Sequence, residues 1–510
     1  MSEQLSIAIV GIGGVFPDAP NLDAYWANIV SRANAAQEPP AGRWRLGLED
    51  AYDPHPGTPD KVYSKRACFL DDDALAMDHE VLDIDPAFLE QLDPMYKVLL
   101  YAGQEAFKDA GLTESDCANV GVIAGNLALP TEKSSDWAWD ILGRTFEEKV
   151  LGEASTARET HPLNRYVTGL PAGMLARALG LGLGGYTLDA ACASSLYAIK
   201  LAADELVSGR ADAMIAGGVS RPDSLYTQMG FSQLRALSPS GTSRPFDAAA
   251  DGLVVGEGSG MFVLKRLDDA LRDGDKVYGV IRGTGLSNDV GGRLLAPTSE
   301  GQLRAMRGAY AQAGWNPNEV SLIECHATGT PVGDAVELES LKQLWAGLDG
   351  EAVIGSVKSN IGHLLTAAGS AALMKVLLAL KHRTLPPSAN FSNAPEEAGL
   401  EASPFAVLSE ARPWEVKKGD TRKAAVSAFG FGGINAHVLV EEWLDGEPVV
   451  EAKRPAPPAV AVVGMDAHFG PWEGLRAFQE HVLGGGDGCE PESPENWRGV
   501  AESAWFRNEG

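Results

Sequence analysis

Segments with strand-like and helix-like hydrophobic patterns alternate along the chain as far as about residue 445. Apolar residues at helical spacing predict a helix over 196–207, and the short apolar run 213–216 behind it is typical of a buried strand. Farther along, the apolar run 320–324 predicts a strand, and the long apolar segment 364–380 predicts a buried helix. This alternation indicates an α/β fold.

The helix that precedes the strand 320–324 has sequence signals at both ends. Ser299 followed by Gln302 three positions later has the spacing of a capping box, and Gly314 is a typical C-terminal stop. We therefore expect a helix from Ser299 to Gly314 whose apolar face is buried.

Composition and charge narrow the function classes. At 510 residues the chain exceeds what one hydrophobic core normally supports, and it has no run of eighteen apolar residues that would span a membrane. The amino terminus lacks the basic region of a signal peptide, and five scattered cysteines show neither a disulfide framework nor metal-ligand spacing. We expect a reduced, cytoplasmic protein without a bound metal. The formal charge of −27 argues against nucleic acid or an anionic membrane as partner, but does not exclude an acidic protein that docks on a local basic patch.

The sequence changes character after residue 445. Residues 446–458 hold four prolines in thirteen positions, which predicts a semi-rigid linker. Beyond the linker, Val460–Phe469 repeats Ile7–Phe16 at a constant shift of 453 residues, although an unrelated strand and helix is the alternative. The expected parts are a first unit at 1–445, the linker at 446–458 and the start of a second, related unit at 459–510.

Cys192 is the first candidate for chemistry. It stands between a strand-like and a helix-like stretch, among the small residues Ala191, Ala193 and Ser194, which leave room for a substrate. In the first turn of a helix, a cysteine faces unpaired amide groups and the positive end of the helix dipole, and both favour the thiolate. The alternative is a buried, inert cysteine, the commonest fate of a free thiol.

Two histidines on other segments are the candidate partners of this cysteine. His326 follows the predicted strand 320–324, at the end where α/β sheets build their sites, and His363 opens the predicted helix 364–380. The amino end of a helix disfavours imidazolium, so His363 is expected to be neutral, and two neutral imidazole N–H groups can stabilise an enolate oxygen. The alternative for each is a structural role, which is the usual one for a single histidine.

Charged residues near the histidines are candidates for orienting them. Lys358 precedes His363 by five residues and can orient the surroundings of this histidine by pairing with a carboxylate. Asp334 and Glu337 follow His326 by eight and eleven residues and are the candidate carboxylates. From spacing alone, a solvated helix start explains these two acids equally well.

Polar and glycine-rich loops supply the remaining candidates. Thr328 and Thr330 offer hydroxyl groups to an amide-bearing substrate arm, although ordinary turn chemistry explains them as well. Glycines around Phe431 permit backbone angles that aim an amide N–H at an oxyanion. Phe429 and Phe431 are expected to wall an apolar tunnel, and a glycine-rich hairpin with core aromatics is the alternative.

Taken together, the motifs resemble those of a known family. The cysteine run 189–195, HxTGT at 326–330, VKSNIGH at 357–363 and GFGGxNAH at 430–437 are similar to motifs of the β-ketoacyl synthase (ketosynthase) domains of fatty acid and polyketide synthases. The resemblance covers residues 1 to about 445. It implies a thiolase fold with a duplicated five-layer αβαβα core and a homodimer or pseudo-dimer. It also implies that no cofactor is bound, because an acyl carrier protein carries the substrates on its phosphopantetheine.

The resemblance implies a role for each candidate. Cys192 accepts the acyl chain from the acyl carrier protein, and His326 and His363 assist decarboxylation of a malonyl thioester and stabilise its enolate for a Claisen condensation. The amides of Cys192 and Phe431 form the oxyanion hole, and Phe431 gates the acyl tunnel. Further matched positions are Thr328 and Thr330 for phosphopantetheine, and Lys358 and Glu337 behind the reacting groups.

Departures and context refine the subfamily. Ala327, Ile434 and Val255 differ from the family pattern, and none of them removes a reacting group. The related unit behind the linker makes the chain similar to the ketosynthase–chain-length-factor pair of polyunsaturated fatty acid synthases. In such pairs the second unit lacks the cysteine and helps to shape the tunnel.

Two other functions are weighed against a condensing enzyme. A non-catalytic chain-length factor or scaffold would carry another residue, such as Gln, in place of Cys192. A thiolase that acts on coenzyme A thioesters pairs its nucleophile with a second cysteine as base. Cys325 adjoins His326, but the family motif gives that position no reacting role.

Overall fold

The computed structural model describes most of the chain in two compact units. The described residues are 6–71, 75–153, 156–158, 160–291, 297–444, 459–469 and 472–484. The two units are Met1–Ser134 with His161–Arg454, and Ser135–Thr160 with Pro455–Gly510. The predicted linker 446–458 lies outside the described residues, so the expected division into a first unit, linker and second unit stays a prediction.

Strands and helices alternate along the described chain. The strands are β1 (Ile7–Val15), β2 (Val120–Gly125), β3 (Gly185–Leu188), β4 (Ala213–Ser220), β5 (Gly258–Arg266), β6 (Gly279–Asn288), β7 (Leu322–Glu324), β8 (Ala352–Gly355), β9 (Thr384–Leu385), β10 (Phe405–Ala406), β11 (Arg412–Pro413), β12 (Lys423–Gly430), β13 (Ile434–Glu441), β14 (His468–Phe469) and β15 (Trp472–Glu473). The α-helices are α1 (Leu22–Val30), α2 (Leu48–Ala51), α3 (Pro86–Gln91), α4 (Pro94–Asp109), α5 (Glu132–Ala138), α6 (Arg144–Leu151), α7 (Pro171–Ala178), α8 (Ser194–Val207), α9 (Ser224–Gln233), α10 (Leu267–Asp273), α11 (Ser299–Ala313), α12 (Pro331–Leu344), α13 (Lys358–Ile361), α14 (Ala368–His382) and α15 (Leu475–Leu483). A π-helix spans Trp139–Gly143, and 3-10 helices span Glu114–Asn119, Pro162–Tyr166, Pro317–Glu319, Leu365–Ala367 and Glu396–Ala398.

The main sheet consists of two halves with the same strand order. Its eleven strands run β10-β8-β7-β12-β13-β6-β1-β5-β4-β2-β3. β10 is an added edge strand beside β8, and the other ten form two halves of five. Numbered within each half and read from its outer edge, both run third, second, fourth, fifth, first, and in both the fifth strand is antiparallel to its two neighbours. The halves join where Ile7–Ile9 of β1 pairs with Gly279–Ile281 of β6. This repetition of one topology is the duplication expected from the sequence.

Helices complete the layers around the sheet. The central helices α8 and α14 pack against each other, with α8 on β2 and β4 and α14 on β12 and β5. On the outer faces, α4 covers β1 and β5, and α11 covers β6 and β13. α14 is enclosed on nearly all sides, since every residue from Ala368 to Leu380 is buried, as its largely apolar sequence predicts. The predicted α/β class and five-layer arrangement are therefore confirmed. Among the described helices, none combines the length and the apolar character needed to cross a bilayer.

The predicted helix from Ser299 to Gly314 is confirmed, but its predicted capping box is wrong, and so is the predicted start of α14 at His363. Helix α11 begins at Ser299 itself, with Thr298 as its N-cap and no capping side-chain hydrogen bond. The side chain of Gln302 instead accepts a hydrogen bond from the Ser340 hydroxyl at 2.7 Å, because both are buried between α11 and α12. Helix α14 begins at Ala368, behind a 3-10 turn, so His363 does not open it.

The repeated sequence folds alike in its helix but not in its strand. α15 spans Leu475–Leu483, which is α1 (Leu22–Val30) shifted by 453 residues. Residues 459–467 have no regular secondary structure, whereas their counterpart β1 is a buried strand. A helix closes its hydrogen bonds within itself, but β1 relies on β5 and β6 as neighbours, and no described strand pairs with 459–467.

Candidate active site

Cys192 lies in the short connection between β3 and α8. It immediately precedes Ala193, the N-cap of α8, so it stands just before the helix rather than in its first turn. Only 7% of Cys192 is exposed. The preceding Ala191 has a φ of +48°, a left-handed conformation that bends the chain sharply before the cysteine.

His363 lies in the connection between β8 and α14 and faces the cysteine directly. Its Nε2 is 3.1 Å from the Cys192 Sγ. Its Nδ1 accepts a hydrogen bond from the Leu365 backbone N–H at 3.2 Å. Because Nδ1 is an acceptor, a neutral His363 carries its proton on Nε2 and donates it toward the sulfur.

His326 completes the group two residues beyond the end of β7. Its ring stands almost perpendicular to that of His363, with the ring centroids 5.4 Å apart. The Nδ1 of His326 is buried and has no hydrogen-bond partner among the described residues. The structure thus brings Cys192, His326 and His363 together from three separate segments.

Two buried carboxylates hold the loop that carries His326. Glu337 accepts the backbone N–H groups of His326 at 2.8 Å and of Ala327 at 2.7 Å. Asp334 accepts those of Thr328 at 3.0 Å and Gly329 at 3.2 Å. Glu337 and Asp334 are 1% and 5% exposed, which rules out the alternative of a solvated helix start. Burial raises the pKa of Asp334 to about 6 and that of Glu337 to about 7, against the effect of these hydrogen bonds.

Lys358 is the buried cation of the site. Burial lowers its pKa, while Glu324 and then Glu337 oppose that change by raising it. The pKa values of His326 and His363 are both well below the usual range, first because the rings are buried and second because Lys358 is near. Both histidines are therefore neutral, as expected for His363, but the cause is burial and a cation rather than a helix dipole.

The Cys192 thiol is not the ready thiolate that the sequence predicts. Burial raises its pKa to about 11, although Lys358 and the backbone amides of Phe431 and Cys192 lower it in part. At neutral pH the resting group is a thiol, because desolvation outweighs the stabilising charge and amides.

The glycine-rich turn between β12 and β13 delivers the Phe431 amide to the sulfur. Gly432 and Gly433 have φ values of +88° and +78°, which other residues rarely adopt. The Phe431 side chain is 39% exposed, and its ring centroid lies 6.2 Å from that of Phe231. Phe429 is buried, with its ring centroid 5.8 Å from that of His326.

The reactive groups open into a cavity of about 240 Å³. The Thr328 and Thr330 hydroxyls lie 2.9 Å apart in its wall. Sequence-predicted residues that line this cavity are Cys192, His326, Thr328, Thr330, Asp334, Glu337, His363, Phe429 and Phe431. Lys358 does not line the cavity and acts on it through charge.

Some residues of the site were missed from the sequence. Phe231, Leu234 and Arg235 line the cavity from α9 and the turn behind it, and no motif marks them. Glu324 is buried at the end of β7, and the signal that could have found it is a carboxylate closing an otherwise apolar strand.

Family models and known proteins match this chain over most of its length. The β-ketoacyl synthase N-terminal domain matches residues 4–270, and the β-ketoacyl synthase C-terminal domain matches residues 278–392. Polyketide synthase PksL of Bacillus subtilis is 36% identical over 450 residues, which cover 86% of this chain and 9% of that protein. One subunit of the polyunsaturated fatty acid synthase of a Thraustochytrium species is 34% identical over 442 residues, 82% of this chain and 21% of that protein.

Solved structures agree with the family match. The PfaC keto synthase–chain length factor has a TM-score of 0.89 at 34% identity, covering 98% of this chain and 55% of that one. The ketosynthase from module 6 of the bacillaene synthase from Bacillus subtilis 168 has a TM-score of 0.73 at 35% identity, covering 86% of this chain and 72% of that one. The chain spans only 9% and 21% of the two curated relatives named above. On these matches, the chain belongs to the β-ketoacyl synthase family.

Proposed function

We propose that this chain is a β-ketoacyl-acyl-carrier-protein synthase that joins a Cys192-bound acyl group to the carbanion of a malonyl thioester. The observation that carries the proposal is the cavity in which the Cys192 Sγ lies 3.1 Å from the His363 Nε2, with the His326 ring beside them. A thiol nucleophile with two neutral imidazoles fits acyl transfer followed by enolate stabilisation.

In the first half-reaction, the Cys192 thiol attacks the thioester carbonyl of an acyl carrier protein. The bond from sulfur to the acyl carbon forms, the bond to the phosphopantetheine sulfur breaks, and the thiol proton passes to the leaving sulfur. The amides of Cys192 and Phe431, which both face the Cys192 sulfur, are suited to the oxyanion of this step.

In the second half-reaction, a malonyl thioester loses CO₂ and leaves an enolate. The N–H groups of neutral His326 and His363 donate hydrogen bonds to the enolate oxygen. The carbanion attacks the acyl carbonyl, and the Cys192 sulfur leaves as a thiolate that takes a proton from solvent. The product is a β-ketoacyl thioester on the carrier.

The rest of the cavity wall supports roles in binding. The paired hydroxyls of Thr328 and Thr330 offer donors and acceptors to the amides of phosphopantetheine. Phe429 is an apolar wall beside His326, and the half-exposed Phe431 is placed to gate an acyl tunnel. The substrate class we propose is therefore an acyl chain carried on an acyl carrier protein, in polyketide or polyunsaturated fatty acid synthesis.

Assembly and location follow as further parts of this proposal. The similarity to a keto synthase–chain length factor supports a second, chain-length-factor-like unit that begins at about residue 459, in a homodimer or a ketosynthase–chain-length-factor pseudo-dimer. Free, buried cysteines at 68, 117, 192 and 325 support a reducing, cytoplasmic location.

Two alternative functions have less support. A non-catalytic chain-length factor has no need of the thiol–imidazole contact at 3.1 Å. A thiolase needs a second cysteine at the reacting centre, but Cys325 is fully buried, does not line the cavity and has its Sγ 3.7 Å from the Ile323 carbonyl.

Intact-protein mass spectrometry with acyl-carrier-protein thioesters of several chain lengths tests the proposal. We expect one acyl group on the wild type and on Cys117→Ala, a control that removes another buried cysteine. Cys192→Ala should take none, at an almost unchanged melting temperature. Coenzyme A thioesters form a second donor series, and a clear preference for them would favour the thiolase.

Two results would contradict the assignment. Acylation of Cys192→Ala would mean that another group is the nucleophile. Failure of every donor with the folded wild type would favour the scaffold.

A further inference from the structure

A buried ion pair lies behind the active site and takes no part in the chemistry described above. The Lys375 Nζ on α14 is 2.6 Å from the Glu324 Oε2, and the two side chains are 2% and 1% exposed. A pair so deeply buried is expensive to desolvate, and apolar residues of similar volume often replace one without loss of stability. Its presence therefore calls for a reason other than stability.

Glu324 connects the two segments that carry the histidines. It is the last residue of β7, two positions before His326. Its Oε1 accepts the backbone N–H of Val357 at 2.6 Å, immediately before Lys358. One carboxylate thus fixes the exit of the His326 strand to the start of the loop that leads to His363.

Lys375 holds that carboxylate from the central helix. Among the described residues, it is the cation that pairs with Glu324. It also lies near Gly355, the last residue of β8, where a Cβ would stand 3.6 Å from the Lys375 Nζ. The pair therefore ties β7, β8 and α14 together directly behind the catalytic loops.

The charge of Glu324 reaches the reacting groups through Lys358. Glu324 is the strongest of the charges that raise the pKa of Lys358, ahead of Glu337. Lys358 in turn lowers the pKa of Cys192 and of both histidines. Other ionisable groups that act on Lys358 or on Cys192 are Cys325 and Asp189.

We propose that the buried Glu324–Lys375 pair is a positioning element, which sets the place and the charge of Lys358 relative to Cys192 and His363. Neither Glu324 nor Lys375 touches the cavity, so their effect on the reaction passes through Lys358 and the Val357 amide. The proposal builds on Cys192 as the proposed nucleophile.

The test compares E324Q, K375M and the double variant E324Q/K375M with the wild type. Gln keeps an acceptor for the Val357 N–H but removes the charge, and Met keeps most of the length of the lysine side chain without its charge. Each variant is examined for melting temperature, for condensation kcat and KM, and for the pH profile of iodoacetamide alkylation at Cys192, read by peptide mass spectrometry. The matched control is Glu442→Gln, which removes a buried carboxylate paired with Arg422, neither of which lines the cavity.

A positioning role and a structural role predict different double variants. Each single variant leaves one charge buried without its partner, so its melting temperature should fall, and the double variant should recover it. We expect E324Q and the double variant alike to lose about tenfold in kcat with little change in KM, and to alkylate about threefold more slowly at a fixed pH, which corresponds to roughly half a pKa unit.

The proposal is overturned if the double variant recovers the wild-type kcat and alkylation profile along with its stability. It is also overturned if Glu442→Gln produces the same kinetic changes. Alkylation requires no acyl substrate, so a wild type without condensing activity would defeat the proposed function while this comparison still gave a result.

Discussion

The two halves of the sheet carry their reactive groups at equivalent places. Cys192 lies between the third strand of the first half, β3, and the central helix α8. His363 lies between the third strand of the second half, β8, and the central helix α14. In both connections the residue just before the reactive one has positive φ, at +48° for Ala191 and +71° for Gly362. The duplicated fold therefore places the Cys192 Sγ and the His363 Nε2 opposite each other, 3.1 Å apart.

The connections differ in length and in charge. The first has only the five residues 189–193, whereas the second has the twelve residues 356–367. The extra length holds Lys358 and the 3-10 turn whose Leu365 N–H fixes the tautomer of His363. Duplication thus explains where the two groups meet, and the longer loop explains how their proton affinities are set.

The largest expected effect comes from removing an imidazole from the second half. His363→Ala and His326→Ala should each lower the condensation rate by about 10³-fold, because an N–H donor to the enolate is lost. Acylation of Cys192 by an acyl carrier thioester should continue in both variants. Single-turnover condensation and Cys192 acylation, measured on the same variants, test both expectations. His55→Ala, which changes an exposed histidine, is the control. Full condensation in either variant would refute the role assigned to that histidine.

Gly362→Ala should distort the connection between β8 and α14 at the bend before His363. An added Cβ would lie 2.8 Å from the Val254 carbonyl oxygen and 3.1 Å from the Cys68 Sγ, at a φ of +71° that alanine rarely adopts. We expect a loss of about 3 kcal/mol in the free energy of unfolding and, as His363 shifts, about 10²-fold in condensation. Denaturant unfolding and condensation assays measure the two effects.

A matched glycine separates strain from displacement of His363. Gly180 has a φ of +68° and nothing within 4 Å of an added Cβ. Gly180→Ala should therefore cost only about 1 kcal/mol and leave condensation unchanged. If Gly362→Ala behaved in the same way, Val254 and Cys68 would not restrict the bend before His363.

Lys358→Met removes the charge that distinguishes the longer connection. Lys358 lowers the pKa of Cys192, so its loss should raise that pKa beyond about 11 and reduce the thiolate fraction at every lower pH. Alkylation of Cys192 at pH 8 should slow by about tenfold, since one pKa unit is a factor of ten. The same loss should let the pKa values of both histidines rise toward their usual range.

Alkylation rates across pH 7 to 10, resolved to the Cys192 peptide, measure the effect on the thiol. Lys381→Met, at an exposed position of the central helix α14 that follows this connection, is the control and should not alter the profile. An unchanged profile in Lys358→Met would show that the charge of Lys358 does not lower the pKa of the Cys192 thiol.

Local sequence patterns predicted much of this arrangement, and the errors share a physical cause. The α/β class and the gathering of Cys192, His326 and His363 follow from periodicity, motifs and family resemblance. The resting state of Cys192 does not, because burial depends on how α8, α14 and the β12–β13 turn pack together. The start of α14 was misplaced since an apolar run does not reveal where a 3-10 turn gives way to an α-helix. Glu324 and Lys375 lie 51 residues apart in the sequence, and only the folded chain pairs them.

The smallest expected effect tests whether the first bend is strained. Ala191 is not a glycine, and a left-handed conformation costs such a residue about 1–2 kcal/mol, whereas glycine loses about 0.5–1 kcal/mol through its freer unfolded chain. Ala191→Gly should therefore raise the free energy of unfolding slightly, by up to about 1 kcal/mol, with the alkylation profile of Cys192 unchanged. At Ala193 the φ is −91°, so a glycine there would relieve no strain. Ala193→Gly should therefore be destabilised, because the unfolded chain gains conformational entropy. If both variants lost stability equally, the bend before Cys192 would store no strain, and the two connections would resemble each other in shape alone.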